Sequence, residues 1–415
     1  MLEQVKVEPK SLDAYRPIVG EAAIDEILRM AEPLRGARVV MINATAFGGG
    51  VAEILGTLVP LMRDAGLDTE WQVIPGADEF FQVTKASHNG LQGMETPFTP
   101  AMQATWRQYN QLAAERFEGQ YDFVFVHDPQ PAGLLTFRER AGGRYWIWRC
   151  HIDTSSPNPA FWDFYAPYIN AHDAAIFTLK EFVGPGVRCR HVAIIPPAID
   201  PLAPKNLPVS PEEAQGVVSR FGLDPARPLV TQVSRFDPWK DPMGVIDSYR
   251  AIKREVPEVQ LALVGSMAAD DPEGWQFLDR TTRHAGEDFD IAILHNFNGV
   301  NAREVACFQQ ASEVVIQKST REGFGLVVAE ALWKGVPVVG GSVGGIPLQV
   351  VEGETGFLVN SPEACAERVL DLLRDPARRT RFGQKGREHV RQHFLTTRLL
   401  LDDLKLFRAL ESDPS

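Results

Sequence analysis

Two short segments place cations where an anion would need them. Ser234-Arg235-Phe236-Asp237-Pro238-Trp239-Lys240 follows the apolar run Leu229–Val233, and Arg235 and Lys240 stand five residues apart with a proline between them. A guanidinium offers a bidentate fork and an ammonium a point charge, a pair suited to a diphosphate on a bent loop. Solvated surface charge is the ordinary fate of such residues. Their place at the carboxyl end of a strand-like run, where open parallel sheets bind ligands, argues for the anion site. The second segment, Gln317-Lys318-Ser319-Thr320-Arg321-Glu322-Gly323-Phe324-Gly325-Leu326, follows the run Val314–Gln317. Gly323 and Gly325 let backbone N–H groups come close to a ligand, and the helical pattern resuming at Val327 adds the positive end of its dipole. An ordinary strand-to-helix turn with a structural glycine would carry the same pattern.

Three further groups stand at the ends of apolar runs. Gly48-Gly49-Gly50 is not a dinucleotide fingerprint, because Glu53 occupies the third glycine position of that frame. Its glycines admit close backbone approach to a ligand, or a plain flexible turn. His127-Asp128-Pro129 and His151-Ile152-Asp153 each set a His beside an Asp, able to hydrogen-bond sugar hydroxyls or manage a proton. Each His alone reads as a satisfied structural residue; two such pairs in neighbouring loops favour a site. Gly340-Gly341-Ser342-Val343-Gly344 fits a hydrolase nucleophile elbow, with Asp371 and His389 in the right order, but Ile346-Pro347 is a poor start for the long helix an elbow requires. Asp288-Phe289-Asp290 enters a strand at its amino end, away from the ligand edge, and reads as solvated carboxylates rather than a metal site.

These groups need a frame. Apolar runs at 38–44, 69–74, 123–127, 145–149, Ala174–Phe177 and 192–195 alternate with helical patterns, and several are apolar throughout, as in parallel strands covered on both faces. Pro196, Pro197, Pro201, Pro204 and Pro208 then interrupt, which places the domain linker there. The rhythm resumes with Leu229–Val233, 260–264, Ile291–His295, Val314–Gln317 and 336–339, and the chain is helical from about Ser361. At 415 residues it exceeds one hydrophobic core, so two βαβ-type domains are expected.

Composition narrows the class. Hydrophobic residues at 44% and charged residues at 23% are ordinary for a globular chain. A net charge of −12 disfavours nucleic acid and anionic membranes as partners, while local cations still suit a phosphorylated small molecule. Cys150, Cys189, Cys307 and Cys365 are scattered without metal-ligand spacing, which implies reduced, cytoplasmic usage and no metal site. No apolar run reaches membrane-spanning length, and the N-terminus lacks a signal pattern.

With these residues in place, the chain resembles a known family. Glu322 through Glu330 looks like the E-x7-E element of retaining glycosyltransferases of family 4, and Arg235 with Lys240 matches their R-x4-K pair. The segments NATAFGGGVAEIL, VHDPQP, WRCHIDTSSPN and QKSTREGFGLVVAEALWKGVPVV are similar to trehalose synthases of the glycosyltransferring type. Pro196-Pro197-Ala198-Ile199-Asp200 departs from the asparagine-glycine turn many relatives carry, which bears on the hinge.

The resemblance implies an α/β fold of the GT-B class, two Rossmann-like domains facing across a cleft. Residues 1–200 would form the acceptor side and 209–393 the nucleotide-sugar side, with a helix at 394–415 crossing back to the first domain. It implies a retaining glucosyltransferase that joins a nucleoside-diphosphate glucose to free glucose, reversibly; a trehalose phosphorylase or a transferase with another acceptor is the rival. The implied catalytic residues are Arg235, Lys240, Glu322, His151 and Asp153. Gly49, Gly50, Asn298, Gly323, Phe324, Gly325, Leu326, Val327 and Glu330 would bind the donor, Glu330 through the ribose hydroxyls. His127, Asp128 and Asp153 would meet the acceptor. No obligate cofactor is implied, Mg²⁺ being at most stimulatory, and the partners are sugars, nucleotide sugars and a second copy in a homodimer. A serine hydrolase through Ser342 and a non-catalytic nucleotide-sugar sensor are the readings of other classes.

Overall fold

The computed structural model describes residues 1–267 and 272–413. Residues 268–271 of the expected second domain and 414–415 of the expected terminal helix lie outside the described residues. The chain divides into two compact units, one of residues 1–198 with 394–415, the other of residues 199–393. Both are α/β, each built on one sheet.

In the first unit the strands are β1 (Glu3–Gln4), β2 (Arg38–Asn43), β3 (Asp68–Val73), β4 (Tyr121–His127), β5 (Gly143–Arg149), β6 (Ala174–Phe177) and β7 (His191–Ile194). They lie in the order β1-β3-β2-β4-β5-β6-β7. Every neighbouring pair is parallel except β1 with β3. Beyond Arg38, every residue of β2 is buried, because helices cover both faces of the central strands. One side holds a large aromatic core in which Trp106, Trp146, Phe161 and Tyr165 are fully enclosed.

The other side receives the helix Thr396–Ser412, which lies against the helix Glu21–Ala31. Its Phe407 stacks on Phe123 of β4 with ring centroids 4.2 Å apart. Asp403, wholly buried on the same helix, reaches the Arg149 guanidinium at 3.3 Å, and Arg149 also donates to the Ile195 carbonyl at 2.9 Å. Burial pushes the Asp403 carboxyl up to about 6 against the pull of Arg149. Arg398 donates to the carbonyls of Pro196 and Pro197 at 2.8 and 2.9 Å. The two stretches of chain that leave and re-enter this unit are thereby tied together inside it.

In the second unit β8 (Leu229–Val233), β9 (Gln260–Gly265), β10 (Ile291–His295), β11 (Val314–Gln317), β12 (Val338–Gly341) and β13 (Gly356–Val359) form a parallel sheet of order β10-β9-β8-β11-β12-β13. The strand expected at 336–339 begins two residues later, after Pro337, which has no N–H to give the ladder. Two strands escape the sequence pattern. β1 has only two residues, and β13 is a four-residue edge strand following a turn. The prolines of 196–208 do stop regular structure, but residues 199–208 pack as part of the second unit. Among the described residues no helix is long and apolar enough to cross a membrane.

The Arg149–Asp403 pair generates a stability prediction. Asp403→Ala leaves a buried guanidinium without its anion and should cost about 3–5 kcal/mol. Urea unfolding should show that loss in the single variant and much less in Arg149→Met/Asp403→Leu; equal losses would mean the pair is not its source.

Candidate active site

Apart from Asn298, the candidate residues of the second unit lie on the segments that follow β8 and β11. After β8 the chain bends through Ser234–Asp237 into a 3-10 turn, Pro238–Lys240, capped by the Asp237 side chain, which accepts from the Trp239 and Lys240 N–H groups at 3.0 and 3.2 Å. Asp241 follows in a left-handed conformation, φ 48°, and caps the helix Pro242–Glu255 through Gly244 N–H. Gln232 in β8 holds the Lys240 carbonyl at 2.7 Å. The loop that carries Lys240 is therefore braced at three points.

Arg235 and Lys240 each have a carboxylate partner within the protein. Arg235, 70% exposed, pairs with Asp237 at 3.2 Å, while the Lys240 ammonium pairs with Glu322 at 2.6 Å. The charge that both cations feel is Asp237, whose carboxyl burial pushes up while Arg235 and Lys240 pull it down. A third pair, Lys318 with Asp241, ties the loop after β11 to the loop after β8. Thr320 N–H donates to the Trp239 carbonyl at 2.8 Å and makes the same connection through the backbone.

Glu322, Gly323 and Phe324 are buried, and Gly325, Leu326 and Val327 half-buried. Gly325 stands at φ 82° and opens the helix Leu326–Trp333, one residue earlier than the sequence pattern suggests. Ser319 Oγ donates to Glu322 at 3.2 Å. Beneath the loop lies the glycine turn of residues 340–345. A Cβ on Gly344, whose φ is 52°, would stand 1.7 Å from the Glu322 carbonyl oxygen. The fully buried Gln349 then donates to the Phe324 carbonyl at 2.6 Å. The segment resembling a hydrolase elbow is thus the floor of the Glu322 loop. After Ser342 comes only a four-residue helix, Ile346–Gln349, and His389 Nε2 is engaged by the Leu348 carbonyl at 2.9 Å.

Glu330 lies inside the helix Leu326–Trp333, 1% exposed, and its carboxylate pairs with Lys205 at 2.6 Å. Asn298 closes the 3-10 turn Asn296–Asn298 after β10; it is exposed, and its side chain accepts from His295 N–H at 2.8 Å. Asp288 and Asp290 pair with Lys253 at 2.7 and 2.9 Å at the amino end of β10, as structural carboxylates.

In the first unit, Gly49 and Gly50 are exposed and open the helix Gly50–Asp64 after β2; a Cβ on Gly49 would meet nothing within 4 Å. His127 ends β4 and His151 follows β5, and their rings meet Nδ1 to Nε2 at 3.0 Å. One nitrogen of that contact must donate, so the two tautomers are linked. Burial, with the Arg149 charge behind it, holds both imidazoles well below the usual histidine range, which favours their neutral forms. Asp128 occupies the left-handed region at φ 66°, tolerated by Asp and held by Trp148 Nε1 on its carbonyl at 2.8 Å. Its carboxylate accepts from His151 N–H at 2.8 Å, and burial pushes it up to about 7. Asp153, 4% exposed, accepts from Ser155 N–H at 2.9 Å.

Spacing did not reveal Asp237, Gln349, Lys318 or Lys205 as parts of the site. Asp237 had a local signal, an Asp before Pro at a helix start. Lys205 had none, standing 125 residues from its partner in a stretch that reads as linker. Among the described residues no group of three or more His, Cys, Asp or Glu side chains could hold a metal ion.

Known proteins match both units. A family model for the N-terminal domain of trehalose synthase matches residues 41–184, and one for group 1 glycosyl transferases matches residues 219–389. Over 414 residues the chain is 52% identical to a trehalose synthase of Rubrobacter xylanophilus, covering 99% of each. A trehalose phosphorylase of Pleurotus pulmonarius is 28% identical over 434 residues, covering 91% of this chain and 58% of its own length. A solved structure described as trehalose-6-phosphate from E. coli bound with UDP-2-fluoro glucose superposes with a TM-score of 0.71 at 14% identity, over 89% of this chain and 99% of that one. A sucrose-phosphate synthase from Thermosynechococcus elongatus gives a TM-score of 0.68 at 18% identity, over 91% and 99%. These structural likenesses place the two parallel-sheet units in the GT-B fold class. The protein is an enzyme, a glycosyltransferase, and the chain belongs to the trehalose synthase family.

Proposed function

We propose that the protein transfers glucose, with retention of configuration, from a nucleoside-diphosphate glucose to free glucose, forming α,α-trehalose reversibly. The observation that carries this reading is the Lys240–Glu322 ion pair on the glycine loop. It stores a cation and a sugar-binding carboxylate beside a helix N-terminus, with both side chains largely out of water. The E. coli neighbour, bound with UDP-2-fluoro glucose, supports the choice of donor class.

On this reading the diphosphate takes Lys240 from Glu322, and Arg235, already exposed, turns to the same anion. Glu322, released, accepts from hydroxyls of the donor glucose. The first N–H groups of the helix Leu326–Trp333 add positive potential, and Glu330 accepts from the ribose. In the first unit the neutral His127–His151 pair hydrogen-bonds without adding charge, while Asp128 and Asp153 accept from hydroxyls of the acceptor. The C1–O bond to phosphate breaks and the bond from the acceptor oxygen to C1 forms on the same face. The acceptor's proton passes to the departing phosphate oxygen. Cations fixed where charge grows are usually the largest catalytic contribution.

A second reading, a phosphorylase that uses inorganic phosphate, is favoured only by the likeness to the Pleurotus enzyme. Incubation with ADP-, UDP- or GDP-glucose and glucose separates the two. Nucleoside diphosphate and α,α-trehalose should appear together without added phosphate, and a phosphate requirement or a β linkage by NMR would reject the proposal. Losing one stabilising donor costs about 3–4 kcal/mol, so Arg235→Ala or Lys240→Ala should lower kcat at least about a hundredfold; normally folded variants with near-wild-type turnover would remove these roles. Gly344→Ala must push the Glu322 loop away, and a shift of about 1 Å costs on the order of a hundredfold. Circular dichroism should show that variant folded. Ionised Asp128 is the stronger acceptor for a sugar hydroxyl, so KM for glucose should fall as pH rises through about 7, and Asp128→Asn should flatten that dependence.

A further inference from the structure

Residues 201–207 run as turns, yet they are bound at many points. Asp200 accepts from Leu202 N–H at 2.9 Å, and Asn206 Nδ2 donates to the Asp200 carbonyl at 2.9 Å. Trp333 Nε1 donates to the Asn206 carbonyl at 3.2 Å, and Lys334 Nζ to Asn206 Oδ1 at 3.3 Å. Arg303 donates to the Pro208 carbonyl at 3.0 Å. The segment is therefore stapled to the carboxyl end of the same helix whose middle carries Glu330. What this arrangement delivers is the Lys205 ammonium, 19% exposed, at 2.6 Å from a carboxylate that is 1% exposed.

A carboxylate taken out of water keeps its charge only beside a cation or several donors. Lys334, which caps the carboxyl end of that helix, contacts the Glu330 main-chain carbonyl at 3.3 Å, and burial brings its ammonium down to about 8. Lys205 is thus the cation seated on the Glu330 side chain. An ionised carboxylate can accept from two neighbouring hydroxyls at once, and one held in place before binding loses less freedom when they arrive.

We propose that Lys205 is a positioning residue of the donor subsite, fixing the Glu330 carboxylate in the orientation that reads the ribose hydroxyls. The proposal rests on the assignment of Glu330 to the ribose. Calorimetric titration of the full chain with ADP, UDP and GDP selects the tightest nucleotide, which is then compared with its 2′,3′-dideoxy counterpart. The wild type should prefer the ribonucleotide by about tenfold or more, the scale of hydrogen bonds to a charged group. Lys205→Met should lose that preference while binding the dideoxy nucleotide as the wild type does, which also shows the variant folded; Lys205→Arg should retain it. Equal weakening towards both nucleotides, or an unchanged preference, in Lys205→Met overturns the proposal. A wild type that binds none of the three, or binds both sugar forms alike, overturns the ribose role of Glu330 and the proposal with it. That failure is read without any variant, so the two are distinguishable.

Discussion

Charge withdrawn from water has to be matched, and the second unit is arranged around that requirement. Asp237, Asp241, Glu322 and Glu330 gather around the ends of β8 and β11, and each has a cation: Arg235, Lys318, Lys240 and Lys205 in turn. Left alone, any one of them would bear a desolvation penalty of several kcal/mol. Paired, they form a preassembled set. On the proposed reading the diphosphate takes Lys240 from Glu322, whereas Lys205 stays on Glu330 as the ribose binds.

The same requirement shapes the first unit. Arg149 lies behind the His127–His151 pair and is answered by Asp403, which arrives from 254 residues away on the terminal helix. That helix is amphipathic in the usual way, with Leu399, Leu400, Leu404 and Phe407 turned inward. Asp403 on its buried face breaks the pattern, and breaks of this kind mark charge pairing or function. Here the break is charge pairing: Asp403 answers Arg149, whose charge also acts on the His127 and His151 imidazoles.

Close packing supplies the second constraint. The Glu322 loop rests on a glycine turn with no room for a methyl group at Gly344, and Gln349 clamps its carbonyls from below. Backbone laid this tightly on backbone holds a loop still without a disulfide or a metal. It also accounts for the glycines of the stretch that resembles a nucleophile elbow: Gly344 answers to the Glu322 backbone.

Strand rhythm, the proline break and the spacing of Arg235, Lys240, Glu322 and Glu330 were legible in the chain because each is local. Apolar runs report burial on both faces, and a loop's composition reports its backbone freedom. Among the described residues, two of the thirteen strands lacked that signal, β1 for its length and β13 for its position at an edge. Who pairs with whom was not legible. That Arg235 would pair with Asp237 and Lys240 with Glu322, that a proline-rich stretch would carry Lys205 to Glu330, and that Asp403 would neutralise Arg149 all depend on distances set by the folded chain. Residue type and short spacing carry local conformation and chemical capacity. Pairing energies depend on separation in space and on exclusion of water, and neither exists until the sheets and helices have closed around the charges.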